Sequence, residues 1–346
     1  MKHDELLAYY RKFDEDEIFY RDYFNANNDE NALKIVVDRL KNDKEHQLDV
    51  WLPELDMHGA DFLPELMIGR RDRNVAVKKH TRYNPLFVHA HSYFELIYVF
   101  EGECKNTIEN HPIYMKTGDI CIIAPGIRHS LGVFDDNTVV LNVLIRKSTF
   151  QENFFDVFQE DAALSKFFYK VYYSNVKDRF MCFHTAGNYE LESLLDIMFS
   201  ESIKEAPYMS RVMENLLRAA FCVMLRISPE EISLRQTSFS EQSVEEILRY
   251  IQINYAEITF HDLAEHFHSS ESNLRRVLHN SVGQSFVNIV RQIRLQKACM
   301  LLENSNMQIG DIAIQVGYKS EEYFYRVFRK EYHMTPLEYR NRKEER

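Results

Sequence analysis

Apolar positions change their period twice along this chain. In residues 1 to about 48, "ELLAYYRKF" and "ENALKIVVDRLKND" repeat apolar residues at helical spacing. "LPEL" then occurs at 52–55 and again at 63–66, and reads as two short helical turns opened by proline at the first helical position. From Val75 to about Arg146 the texture is different. "VAVKKHTRY", "FELIYVFEG", "CKNTIENHPIYM", "DICIIAP", "HSLGVF" and "TVVLNVLI" are short β-branched and aromatic runs, with turns expected at "ENHP" and "KTGD". They predict an antiparallel sheet domain, a sandwich or barrel. From Ser148 to about Ile227 the helical period returns in "STFQENFFDVFQE", "ALSKFFYKVYYSN", "NYELESLLDIMFSESIKE" and "YMSRVMENLLRAAFCVMLRI". "SPEEISLRQTSFSEQ" breaks it as a linker, and "VEEILRYIQINYA" opens a last, all-helical segment. The expected fold class is α+β multidomain. A helical N-terminal extension (1–74) precedes an antiparallel β-barrel (75–147), a helical segment with linker (148–238) and an all-α domain (239–346).

Composition narrows the class. With 346 residues, 45% hydrophobic and 27% charged, the chain can bury two or three globular cores. No run of about 18 apolar residues is present, so no membrane span is expected. The opening "MKHDELLAYYRKFDEDE" has no apolar core, so no signal peptide is expected. Five cysteines, Cys104, Cys121, Cys182, Cys222 and Cys299, are widely spaced without a CxxC pair. They read as free thiols in a reducing cytoplasm, each filling a small apolar position.

Charge alters the picture in one region. The net charge of −11 disfavours nucleic-acid binding by the chain as a whole. Yet residues 1–240 carry −10 of it and residues 241–346 only −1, while Ser270 to Lys343 is +5. A locally basic end on an acidic body fits DNA binding through one surface.

That end repeats a design. "ITFHDLAEHFHSSESNLRRVLHN" and "MQIGDIAIQVGYKSEEYFYRVFRKEY" each place a short helix around an apolar–Ala pair, Leu263-Ala264 and Ile312-Ala313. Each then turns into a second helix with apolar anchors, Leu274, Val277 and Leu278 or Phe324, Val327 and Phe328. Alanine allows close crossing, and Ser270 and Ser320 can cap the second helices, each followed by a glutamate beside the N-terminal dipole. With the anchors inward, Glu271, Ser272, Arg275, Arg276 and His279 lie on one outer face and Glu321, Glu322, Tyr325, Arg326 and Arg329 on the other. Arginine can read guanine and glutamate can accept from cytosine.

The stretch "RLQKACMLLENSNMQIGDIAIQVGYKSEEYFYRVFRKEYHMTPLEYR", Arg294 to Arg340, resembles the DNA-binding domain of the AraC/XylS family of bacterial transcription regulators. It follows "RLxxAxxLL", "IxxIAxxxGY", a serine, "YFxRxF" and "TPxxYR", and the match spans about the last hundred residues. It departs at His333, where the family usually has glycine, so a left-handed backbone with slight strain is expected there. The resemblance implies that Arg275, Arg276, Glu321, Glu322, Tyr325 and Arg326 approach DNA.

The barrel segment carries its own chemistry in "VHAHSYFELIYVFEGE", Val88 to Glu103. His89, His91 and Glu95 share one side of a strand by their even spacing, and His129 on another strand can close a site. His89-x-His91-x3-Glu95-x6-Gly102 resembles the first cupin motif, and Gly118-Asp119 … Pro125-Gly126-x2-His129 the second, with Val133 where its last asparagine is expected. Three imidazoles and a carboxylate suit Fe, Mn, Ni or Zn. The same residues, with Tyr93, Tyr98 and Arg128, suit the lining of an effector pocket for a sugar or organic acid. Cupin domains joined to this DNA-binding domain mostly bind small effectors, often without metal.

The expected function is a sequence-specific regulator, activator or repressor, whose cupin domain senses a small molecule such as a sugar or related metabolite. Double-stranded DNA, the effector, a second copy of the chain and RNA polymerase are the expected partners; the 150–227 helices either form the interface with the second copy or pack onto the sheet. No catalysis is expected. A metal-dependent cupin enzyme fused to a DNA-binding domain, and a regulator with a vestigial cupin, are the alternatives.

Overall fold

The computed structural model describes residues 1–42, 50–52, 62–69, 73–149, 180–204, 206–227, 232–233 and 242–341, together with Leu164, Phe167, Phe168 and Val171. The helices expected over most of 150–179, the first "LPEL" turn beyond Leu52, and most of the 228–241 linker lie outside these residues. The chain divides into two units: Met1–Lys147 with Phe180–Leu234, and Ser148–Arg179 with Arg235–Arg346.

In the first unit the apolar runs become strands because their side chains are needed on both faces. β4 (Phe94–Glu101) and β9 (Val139–Ile145) are buried almost throughout, as expected of a strand covered on each side. With β2 (Val75–Lys79), β7 (Asp119–Ile123), β10 (Phe180–His184) and β11 (Ile232–Ser233) they form a six-stranded antiparallel sheet ordered β11-β10-β7-β4-β9-β2. A second sheet, β6-β5-β8, comprises β5 (Glu103–Ile108), β6 (His111–Lys116) and β8 (His129–Gly132). A short parallel pair joins β1 (Phe62–Leu63) to β3 (Ala90–His91).

Helices cover the other face of the large sheet. α4 (Tyr189–Lys204) places Phe199 in a stack on Tyr98, with ring centroids 5.8 Å apart, and edge-on to Phe100 at 5.9 Å. α5 (Met209–Met224) packs on α4 and buries Leu217, Ala220 and Phe221. α1 (His3–Tyr10) adds His3 and Tyr10 around Phe100. α2 (Glu15–Ala26) and α3 (Glu30–Asn42) pack on one another, α2 being capped by Asp14, which accepts from the Glu17 N–H at 2.9 Å.

The N-terminal helices pack on the barrel: Glu17 of α2 is completely buried against Arg82, just past β2. One expectation changes here: "FMCFH", inside a stretch read as helical, is strand β10, because pairing with β7 satisfies its backbone and buries its central residues. The second "LPEL" gives a 3-10 turn, Glu65–Ile68, with Pro64 as its cap residue, one place earlier than expected.

The second unit is all-helical among its described residues. α6 (Gln242–Ile253) precedes a first helix pair, α7 (Phe260–His266) and α8 (Glu271–Val282). α9 (Phe286–Asn304) leads to a second pair, α10 (Ile309–Gln315) and α11 (Glu321–Tyr332), then α12 (Pro336–Asn341). Ser270 accepts from the Asn273 N–H and Ser320 from the Tyr323 N–H, both at 3.3 Å, so both expected caps form. Each pair has its own core: Leu263, Leu274 and Leu278 in one, Ile312, Phe324 and Phe328 in the other. His333 ends α11 in the left-handed region at φ 58°.

Candidate ligand site and nucleic-acid interface

Strand parity decides what enters the barrel. On β4, Glu95 and Ile97 share the face toward the small sheet, and Leu96 and Tyr98 the face toward the helices. β8 contributes His129, which sits opposite Ile108 of β5, while Asn106 sits opposite Leu131 two residues on. The two sheets meet where Glu95 Oε2 lies 3.0 Å from His129 Nε2 and 3.4 Å from His91 Nε2. Among the described residues, His91, Glu95 and His129 are the one group whose nitrogen and oxygen atoms converge closely enough to share a metal ion. All three are buried.

Their orientation is held from behind. His91 Nδ1 lies 2.6 Å from the Tyr93 carbonyl, and His129 Nδ1 lies 3.3 Å from the Ile127 carbonyl. A carbonyl can only accept, so each Nδ1 carries the proton, and in a neutral ring Nε2 is a bare lone pair. Both Nε2 atoms face the Glu95 carboxylate. Burial raises the Glu95 carboxyl, but the neighbouring His129 and His91 imidazoles outweigh it and hold it well below the usual carboxylate range. An anionic oxygen facing two lone pairs is stable only with a cation between them, a proton or a metal ion.

His89 is near but apart from the trio. It pairs with His129 across the strands, with ring centroids 4.4 Å apart, and stacks on Phe87. Burial lowers it to about 4. Tyr93 stacks flat on His91, 4.4 Å between centroids, and belongs to an apolar cluster with Ile68 and Leu144. Two expected pocket residues are elsewhere. Tyr98 is on the helix-facing side of β4, packed on Phe199, because it is an odd number of positions from Glu95. Arg128 is exposed, one place out of phase with His129.

The barrel also holds groups that the sequence reading missed. His80, just past β2, is half-buried and hydrogen-bonds to the Leu131 backbone, while its buried Nε2 has no partner; burial of the ring lowers it to about 4. Asn106 is fully buried, and neither its amide nitrogen nor its amide oxygen finds a partner. Asn142, opposite Ile97, leaves its Oδ1 unpaired. Unpaired buried amides cost roughly 1–3 kcal/mol each, a cost that a polar ligand would remove. Period-2 counting along "VAVKKH" groups His80 with exposed Lys78, opposite the apolar Val75 and Val77, so it does not mark His80 as inner.

In the helical unit, Glu271, Ser272, Arg275, Arg276, Glu321, Glu322 and Arg326 are all exposed, and Tyr325 is half-buried. Arg275 is engaged by Glu271 at 3.2 Å and lies over the Phe260 ring, and Arg276 donates to Asn273 at 2.9 Å. Arg326 lies over Tyr323, and Tyr325, Arg326, Arg329, Lys330 and Thr335 line a basic hollow of about 450 Å³. The two helix pairs meet at the Tyr255–Ala256 segment before α7. From α9, Arg294 donates to the Tyr255 and Ala256 carbonyls at 2.9 and 3.0 Å. Gly317, in the turn before α11, approaches so closely that a Cβ there would stand 2.2 Å from the Ala256 oxygen.

Comparison with known proteins agrees with this division. Residues 80–199 match the AraC-like ligand binding domain and residues 263–342 a helix-turn-helix domain. The HTH-type transcriptional activator RhaS of Escherichia coli is 23% identical over 285 residues, covering 82% of this chain and 96% of that protein. Histidine kinase P4 of Formosa agariphila is 32% identical over 162 residues, 44% of this chain and 12% of its own length. Among solved structures, the C-terminal domain of the response regulator yesN from Fusobacterium nucleatum is 31% identical, covering 29% of this chain and 98% of that one, with a TM-score of 0.28.

Proposed function

The chain belongs to the AraC family of DNA-binding transcription regulators with an N-terminal ligand-binding domain, and from that premise we propose that the barrel interior around Asn106, His80 and the His91–Glu95–His129 trio is its effector site. The observation that carries this reading is the fully buried Asn106 amide with no partner for either of its polar atoms. The effector class is a small polar molecule that can both donate and accept hydrogen bonds, a sugar or related metabolite among them. The reading assigns binding and no turnover. α8 and α11 enter the major groove, with Glu271, Ser272, Arg275, Arg276, Glu321, Glu322, Tyr325 and Arg326 nearest the bases and phosphates. Two copies bind paired half-sites, and the bound regulator recruits RNA polymerase as an activator. Occupancy matters because the effector favours one arrangement of the regulator over another.

The test uses a reporter already in place. The single tryptophan, Trp51, lies 5.5 Å from Phe87, which stacks on His89. Titration with a library of neutral sugars and small metabolites should change Trp51 fluorescence for at least one compound, and Asn106→Leu should abolish that change. A library without a single responder, or a response untouched by Asn106→Leu, counts against this site.

A second reading rests on the lone pairs facing Glu95. His91, Glu95 and His129 fit a divalent ion, with His89 beside them as a third imidazole. A bound metal would supply a Lewis-acidic point to which an effector hydroxyl could coordinate. The chain's own part is to hold both Nδ1–H groups on carbonyls, so that Nε2 is presented inward. Metal analysis of the purified protein, with chelation followed by thermal unfolding, decides it. Stoichiometric metal and a lowered midpoint on chelation support it. Metal-free protein with an unchanged midpoint leaves a proton in that place.

A further inference from the structure

Cys121 and Cys182 sit directly opposite each other on neighbouring antiparallel strands, β7 and β10. Both are buried, and their sulfur atoms are 3.0 Å apart. A disulfide needs about 2.05 Å, so closing the gap takes about 1 Å of movement. We propose that Cys121 and Cys182 are a site of reversible disulfide formation, oxidised by small hydroperoxides and reopened by thiols.

The setting favours a bond that forms and breaks over one that stays. Directly paired residues in an antiparallel sheet hold their Cβ atoms about 4.5–5.5 Å apart, wider than the roughly 3.8 Å mean of a disulfide. The bond therefore pulls the strands together under strain, and strained disulfides are the readily reduced ones. β10 lies next to the two-residue terminal strand β11, so it can open more easily than the central β4. Burial keeps the Cys121 thiol protonated and pushes the nearby Cys104 thiol up to about 12, which slows attack in the closed barrel. Only a small oxidant arriving during brief opening will react at a useful rate.

The chemistry balances in two steps. One thiol and one hydroperoxide, ROOH, give a sulfenic acid and ROH. The second thiol attacks the sulfenic sulfur, forms the S–S bond, and releases water. Two thiols have then lost two electrons and two protons, and the peroxide O–O bond has accepted them. Return to dithiol needs two reducing thiols, which leave as their own disulfide.

The experiment uses the full chain, reduced and then exposed to hydrogen peroxide, with remaining thiols alkylated after denaturation and peptides mapped without reductant. A peptide joining Cys121 to Cys182 should appear and vanish on treatment with dithiothreitol. Exposed Cys222 serves as the internal standard for oxidant delivery. Cys222→Ser and Cys104→Ser should keep the joined peptide, whereas Cys182→Ser should lose it and leave Cys121 reactive toward a sulfenic-acid trap. Full alkylation of Cys121 and Cys182 while Cys222 is oxidised would overturn the proposal. So would separate over-oxidation of the two sulfurs without a joined peptide. Both of these outcomes are measured on the natural chain, so they hold even if a serine variant misfolds.

Discussion

The Arg82 guanidinium and the Glu17 carboxylate meet as a buried two-point ion pair, Nε to Oε1 and Nη2 to Oε2, each at 2.9 Å. Lys79 adds a third donor at 2.6 Å, and the Phe13 ring covers the guanidinium at 3.8 Å. Helix α2 is bolted to the barrel by this pair.

Removing one partner strands a buried charge. Glu17→Ala should lower the unfolding free energy of the barrel unit by about 3–5 kcal/mol, measured by urea denaturation. Asp22→Ala, which breaks an exposed pair with Arg39, should cost less than about 1 kcal/mol. Equal effects of the two would contradict the clamp.

The same carboxylate sets a pH dependence. Burial raises the Glu17 carboxyl, but hydrogen bonds and charge from Arg82 and Lys79 leave it below its ordinary value. A group with a depressed folded value stabilises fully above its unfolded value, about 4.3, and loses that contribution as pH falls through the folded one. Acid unfolding curves of the natural chain should therefore be steeper below about pH 4.3 than those of Glu17→Gln.

Gly317→Ala should damage the helical unit twice over. The position is left-handed at φ 92°, and the new Cβ would collide with the Ala256 carbonyl. A loss of at least about 2 kcal/mol in unfolding free energy is expected, together with weaker DNA binding. Wild-type stability and affinity in this variant would show that the two helix pairs tolerate slack.

His333→Gly should act in the opposite sense. A left-handed non-glycine residue costs about 1–2 kcal/mol, offset in part by the entropy of glycine in the unfolded chain. A net gain of about 0.5–1 kcal/mol in thermal unfolding is the expected outcome. A loss would mean that the imidazole makes a stabilising contact.

Arg326→Ala should weaken specific DNA binding by about 1–3 kcal/mol and relax base preference at one position. Arg275, already held by Glu271 and stacked over Phe260, should matter less when removed. An unchanged footprint for Arg326→Ala refutes its reading role.

Local signals carried the helical unit into view. Caps at Ser270 and Ser320, the apolar–Ala pairs and the left-handed His333 all depend on residues within one turn of each other. His91, Glu95 and His129 were legible because the short spacing from β3 into β4 and a turn before β8 sufficed. Tyr98 misled because closeness in sequence says little about which face a side chain takes. His80 and Asn106 became visible only through pairing of β2 with β9 and of β5 with β8, contacts between distant segments. The strand "FMCFH" was hidden for the same reason, since its partner β7 is some sixty residues away.

The contact of Gly317 with Ala256 reaches beyond the protein. If α8 and α11 read DNA as proposed, this contact ties together the spacing of the two blocks they read. One base pair inserted between the blocks they read would shift the second block by about 3.4 Å and rotate it by about a tenth of a turn. Restoring the match would then take strain at this contact or bending and twisting of the DNA. Promoters under this protein's control would then be constrained in spacing as strictly as in sequence, and the stiffness of the spacer itself becomes part of what is recognised.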